Sequence, residues 1–145
     1  MMCVDASVVA KWFLPEELAD RARALLRDAL NANEPIVAPP LLPYEVTNIL
    51  RQRLRASTPL PLEQALVHLD DFLNVPIELR SPLGLHRHAL ILADAYGLPA
   101  VYDAHYLALA EHLECVLWTD DRRLLRLVGD RLPFVRAIGD YQLPA

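Results

Sequence analysis

Four carboxylates stand where a fold could gather them. Asp5 closes a short apolar run at the start of the chain, and Asp121 follows a second run, Cys115 to Trp118. Glu45 and Asp103 each stand at the opening of a helix-like segment. An all-oxygen donor set of this kind suits a hard divalent cation such as Mg²⁺ or Mn²⁺. Two carboxylates about 5 Å apart repel by roughly 3 kcal/mol at an effective dielectric of about 20. Four in one pocket must therefore take up protons or a cation. A magnesium ion keeps several waters, which leaves room for a substrate phosphate, and such a centre can activate water and stabilise a departing oxygen. Each acid also has an ordinary use. Asp5 suits a strand-end turn, Glu45 complements a helix dipole, and Asp103 and Asp121 suit helix N-caps.

Whether the acids meet depends on the elements that carry them. At 145 residues the chain is expected to form a single domain, residues 1–145, long enough to bury a core. Its 54% hydrophobic content argues against disorder, and twelve prolines against four glycines suggest short, stiff connections. Short apolar runs predict five strands, at Met2–Val4, Ile36–Ala38, Ile77–Leu79, Cys115–Trp118 and Phe134–Ile138. Amphipathic spacing predicts helices over Ala6–Phe13, Glu16–Leu30, Pro43–Arg55, Leu62–Leu73, Leu85–Tyr96 and Asp103–Leu113, and a short one after Asp121 that runs to Val128. The alternation is that of an α/β fold with a mostly parallel sheet covered on both faces. In such sheets ligands bind beyond the carboxyl ends of the strands, at a topological switch point. If the first and fourth strands are neighbours, Asp5 and Asp121 face one crevice. Helix N-termini carrying Glu45 and Asp103 point toward the same edge, and their dipoles favour ionised carboxylates.

The remaining residues exclude several classes. A net charge of −5 gives no global attraction for nucleic acid, although thirteen of the fourteen basic residues are arginine, the better phosphate fork. Arg122, Arg123 and Arg126 follow Asp121 directly, with Arg122 and Arg126 on one helix face, and could touch phosphate, as could Lys11, whereas Arg51, Arg53 and Arg55 scatter around a helix end. The turn Asp5–Ala6–Ser7 has no glycine, against a dinucleotide-binding module. Ser7 also stands where an aspartyl phosphatase needs its second aspartate. His68, His86, His88, His105 and His112 lack zinc-site spacing with Cys3 and Cys115, which are expected to be buried free thiols in a reducing compartment. The start of the chain has no signal-peptide pattern, and no apolar run reaches membrane-spanning length, so a cytoplasmic protein is expected. Trp12, Phe13, Leu14, Leu18, Leu41 and Leu42 supply apolar surface for a core, a partner or both.

The stretches VDASV, PYEVTNIL, VYDAHYLALAEHL and LWTDDRRLL, in that order, resemble the motifs of the PIN-domain family, and most of all its VapC-type toxin ribonucleases. The resemblance covers nearly the whole chain. It implies a three-layer α/β/α fold and a metal-dependent endoribonuclease that hydrolyses RNA phosphodiester bonds. Asp5, Glu45, Asp103 and Asp121 would then hold one or two Mg²⁺ or Mn²⁺ ions. Ser7 and Thr119 would orient carboxylates or metal waters, and Asn48, one turn after Glu45, could do likewise. The resemblance further implies a toxin inhibited by an antitoxin protein, and a homodimer. The family usually has a small or neutral residue between the threonine and the last acid; here it is Asp120, and the order of the motif assigns Asp121 to the site. A non-catalytic PIN-like module for RNA binding or protein interaction is the competing reading. The presence of all four acids favours catalysis.

Overall fold

A computed structural model describes residues 1–145. Five strands form one sheet: β1 (Met2–Val4), β2 (Ile36–Ala38), β3 (Ile77–Leu79), β4 (Val116–Thr119) and β5 (Val135–Ala137). Their order is β3-β2-β1-β4-β5, and every pairing is parallel. The chain therefore lays strands outward from β1 on one side and then returns to add β4 and β5 on the other. The switch point lies between β1 and β4, where Val4 is in register with Trp118. That register brings Asp5 and Thr119, the next residues along each strand, to the same edge of the sheet.

The central strands are uniformly apolar because both faces are covered. β1 and β2 are buried at every residue. The outer strands β3 and β5 carry Glu78 and Arg136 in exposed positions, and charges at an edge discourage pairing with another chain. Seven helices complete an α/β/α sandwich: α1 (Ala6–Phe13), α2 (Ala19–Asn31), α3 (Leu42–Leu54), α4 (Leu62–Asn74), α5 (Leu85–Tyr96), α6 (Tyr102–His112) and α7 (Arg122–Val128). None is long and apolar enough to cross a membrane. α6 is the most deeply set, with Ala104 and Tyr106 through Ala110 all buried, so it shows little amphipathic character. Trp12 anchors α1 to α2 by donating its indole N–H to the Ala22 carbonyl at 3.0 Å.

The predicted boundaries shift where backbone geometry intervenes. α2 starts at Ala19 rather than Glu16, because Leu18 takes a left-handed conformation (φ 66°) just before it. β4 runs Val116–Thr119 rather than Cys115–Trp118, which makes Thr119 a strand residue. α6 begins at Tyr102, with Val101 as its N-cap, so Asp103 is the second residue of the helix and not its cap. Gly97 ends α5 in the left-handed conformation (φ 65°) that favours glycine.

Candidate active site

Asp5 leaves β1 and becomes the N-cap of α1, with 5% of its surface exposed. Its Oδ1 accepts hydrogen bonds from the Ser7 hydroxyl at 2.5 Å and the Val8 N–H at 3.2 Å, and its Oδ2 accepts from the Thr119 hydroxyl. Each hydroxyl is itself an acceptor. Ser7 Oγ takes the Asp120 N–H at 2.8 Å, and Thr119 Oγ1 takes the Asp121 N–H at 3.0 Å. Two short relays thus tie the first carboxylate to the turn that carries the last one. Burial pushes the Asp5 carboxyl up to about 7, against the three hydrogen bonds that favour its charge, and the Asp103 charge adds to the rise.

Glu45 is the fourth residue of α3 and is half-buried. Its Oε1 accepts the Tyr106 hydroxyl at 2.6 Å. Burial raises its carboxyl above the ordinary range, the Tyr106 bond lowers it, and the charges of Asp103 and Asp121 raise it again. Asp103 is raised by burial and then by Asp121, and Arg123 opposes both. Tyr106 is held firmly protonated by burial and by Glu45. Asp121 caps α7, accepting the Leu124 N–H at 3.0 Å.

The fold therefore links the four predicted acids into one electrostatic chain near the switch point, with Asp103 at its centre. Asp103 acts on Asp5 and Glu45, and Asp121 acts on Glu45 and Asp103. No three histidine, cysteine, aspartate or glutamate side chains close into a compact cage. The donor chemistry, all carboxylate with Asp5, Glu45 and Asp103 raised, suits a hard cation that retains part of its water shell, and the repulsion among these acids is what such a cation would relieve.

Asp120 is engaged elsewhere. Its Oδ2 pairs with Lys11 Nζ at 2.9 Å, Lys11 also meets Glu16 at 3.3 Å, and Glu16 meets Arg53 at 2.5 Å. Lys11 is only 5% exposed. This corrects the expectation that Lys11 could reach RNA: a buried ammonium committed to two carboxylates cannot leave them for a phosphate. The basic residue beside the acids is Arg123, exposed at the start of α7, whereas Arg122 makes a long, exposed pair with Glu17 at 3.6 Å.

Tyr106 is the site residue that sequence reasoning missed. It lies three positions after Asp103 and so shares its face of α6, which was the available signal. The apolar residues that follow it, Leu107 to Ala110, made it look like core. Asn48 is exposed and lines a cleft of about 410 Å³ with Leu41, Tyr44, Glu45 and Tyr102. A second cleft of about 420 Å³, at the α5–α6 turn, contains none of the four acids. Two of the histidines pair between α5 and α6. The His105 ring bonds to the Val101 carbonyl at 2.9 Å through Nδ1, and its Nε2 lies 2.8 Å from His86 Nδ1.

A family model described as PIN domain matches residues 2–130. Ribonuclease VapC3 of Pyrobaculum aerophilum is 33% identical over 131 residues, spanning 85% of this chain and 91% of that protein. The crystal structure of PAE2754 from Pyrobaculum aerophilum superposes with a TM-score of 0.67 at 25% identity, covering 95% of this chain and 90% of that one.

Proposed function

This chain belongs to the PIN-domain family, and on that premise we propose that it is a Mg²⁺- or Mn²⁺-dependent endoribonuclease, the toxin of a VapBC-type toxin–antitoxin pair. The observation that carries the reading is the chain of carboxylates at the β1/β4 edge, in which Asp103 acts on Asp5 and Glu45, and Asp121 acts on Glu45 and Asp103. The similarity to a protein named as a ribonuclease supports it.

Asp5, Glu45, Asp103 and Asp121 would hold the cation. When bound, Mg²⁺ or Mn²⁺ would supply Lewis-acid polarisation of the scissile phosphodiester and a more acidic water. The chain's own residues set the geometry. Ser7 and Thr119 hold both oxygens of Asp5, Tyr106 fixes Glu45, and the α7 cap fixes Asp121. Arg123 offers a guanidinium beside Asp103 for a non-bridging phosphate oxygen. Asn48, exposed on α3 one turn after Glu45, would orient water, substrate or the Glu45 carboxylate, of which Tyr106 holds one oxygen. The partners on this reading are an RNA substrate, an inhibitory antitoxin protein and a second copy of the chain, in the cytoplasm.

The test is RNA cleavage by the purified chain with Mg²⁺ or Mn²⁺ and with EDTA. Cleavage should require the cation, and Asp5→Asn should abolish it while the chain stays folded. Cleavage that persists in EDTA would remove the metal from the mechanism. Full activity in Asp5→Asn would remove the site assignment. Growth arrest on expression, relieved by the product of a small neighbouring gene, tests the toxin role.

A further inference from the structure

The cleft beside Glu45 has a use that metal chemistry leaves open. It lies between the first turns of α3 and α6 and is lined by Leu41, Tyr44, Glu45, Asn48 and Tyr102. Tyr44 and Tyr102 are 78% and 62% exposed. Each immediately precedes an acid of the site, Tyr44 before Glu45 and Tyr102 before Asp103. Two helices thus present an aromatic ring each to one cleft, and α3 adds the Glu45 carboxylate and the Asn48 amide.

We infer that this cleft seats an unpaired nucleobase of the RNA next to the phosphate held at the acids, with Tyr44 and Tyr102 as stacking faces and Asn48 as the hydrogen-bonding edge. The inference rests on the nuclease reading above. Three features select a base over other occupants. The wall is two tyrosines, a leucine, an asparagine and Glu45, with no lysine or arginine to hold a further phosphate, so the uncharged part of a nucleotide is favoured there. An acidic protein gains little from counterion release and needs another source of affinity for RNA, which sequence-tolerant stacking on aromatic rings supplies. The Asn48 amide carries both a donor and an acceptor, matching the mixed edges of bases. Bases inside an A-form duplex are stacked and out of reach, so the occupant is single-stranded or looped out. At about 410 Å³ the cleft falls within the range of small-ligand sites.

The experiment uses the full chain, an unstructured oligoribonucleotide that it cleaves, the same sequence as a duplex, and a version abasic next to the cut. Tyr44→Ala and Tyr102→Ala should each raise KM by roughly 5- to 150-fold, the loss of one base–ring stack of about 1–3 kcal/mol, with kcat changed far less. Tyr44→Phe and Tyr102→Phe should restore what the alanine variants lose. The duplex should be a poor substrate, and the abasic strand should respond little to the alanine changes. Both rings are exposed, so circular dichroism should show all four variants folded. Unchanged KM in the alanine variants, with the parent chain active, overturns the stacking cleft and leaves the nuclease reading standing. Unchanged KM together with altered sedimentation of Tyr44→Ala or Tyr102→Ala assigns the rings to a protein partner and also overturns it. A parent chain that cleaves no RNA with either cation overturns both readings together.

Discussion

Asp5 is a buried carboxylate whose charge is opposed by its surroundings, and this has a direct consequence for stability. Its folded pKa is raised to about 7. Between the ordinary carboxylate range and that value, the folded chain holds a proton that the unfolded chain has released. Stability of the metal-free chain should therefore fall as pH rises through this window, by on the order of 4 kcal/mol for this group alone. Glu45 and Asp103, also raised, act in the same direction. Asp28 acts oppositely and at lower pH: the Tyr141 hydroxyl and Arg27 hold it below the usual range, so its contribution is lost only in acid. Urea unfolding in EDTA from pH 5 to 8 should show a falling midpoint, and Asp5→Asn should flatten much of that slope. A parent profile that does not fall would contradict a buried, raised carboxyl. Tyr106 gives a second test. Tyr106→Phe removes the donor to Glu45 and leaves the ring in place, so cation affinity measured by calorimetry should weaken about 10- to 100-fold with little change in fold. Asp5 was legible as a candidate because it closes an apolar run, whereas Ser7 and Thr119 were drawn in only by the resemblance of VDASV and LWTDDRRLL to PIN-domain motifs. Tyr106 and buried Lys11 were hidden because nothing local separates a buried polar side chain with a distant partner from a core or surface residue.

The turn between β4 and α7 has to hold Asp121 in place with few backbone bonds of its own. Three side chains from α1 and the residue before it brace it: Asp5 through Thr119, Ser7 through the Asp120 N–H, and Lys11 through the Asp120 carboxylate. Lys11 further ties this brace to Glu16, and through Glu16 to Arg53 near the end of α3. Removing one member of such a pair leaves the others desolvated and uncompensated. Lys11→Met should cost roughly 3 kcal/mol, the low end for breaking a buried pair, because Asp120 and Glu16 retain about a fifth of their exposure. Chemical denaturation reads this directly, and Lys11→Met with Asp120→Leu should recover part of the loss. No recovery in the double variant would mean that the pair is not the unit that braces the turn. The helices and strands themselves were readable from apolar triplets and amphipathic spacing, since both periodicities are local. The start of α2 was not, because Leu18 adopts a left-handed conformation that no leucine signals. The start of α6 differs because Asp103 looks like a cap, while the helix begins one residue earlier, at Tyr102.

Across the whole molecule, the parallel alternation implied that strand ends share an edge, but the adjacency of β1 and β4 came from the fold. The brace between Asp5 and the β4–α7 turn depends on that adjacency. So does the balance of charge that an RNA would meet. The chain is acidic overall, Lys11 is buried in ion pairs, and Arg122 leans on Glu17. Arg123 is the cation that acts on the site acids. If substrate affinity comes from a bound cation, stacked bases and one guanidinium, few counterions are displaced from RNA on binding. The dependence of log KM on log salt should then be shallow, with a slope of magnitude about 1–2, against the far steeper slopes of proteins that neutralise many phosphates. Arg123→Ala should reduce that slope by about 1 and weaken binding about equally across RNA sequences, because a phosphate contact carries no base information. Measuring KM from about 50 to 300 mM KCl at fixed Mg²⁺, for both proteins, decides it. A steep parent slope that Arg123→Ala leaves intact would place the electrostatic contact on arginines away from the switch point, and RNA would then approach this acidic molecule by a different face.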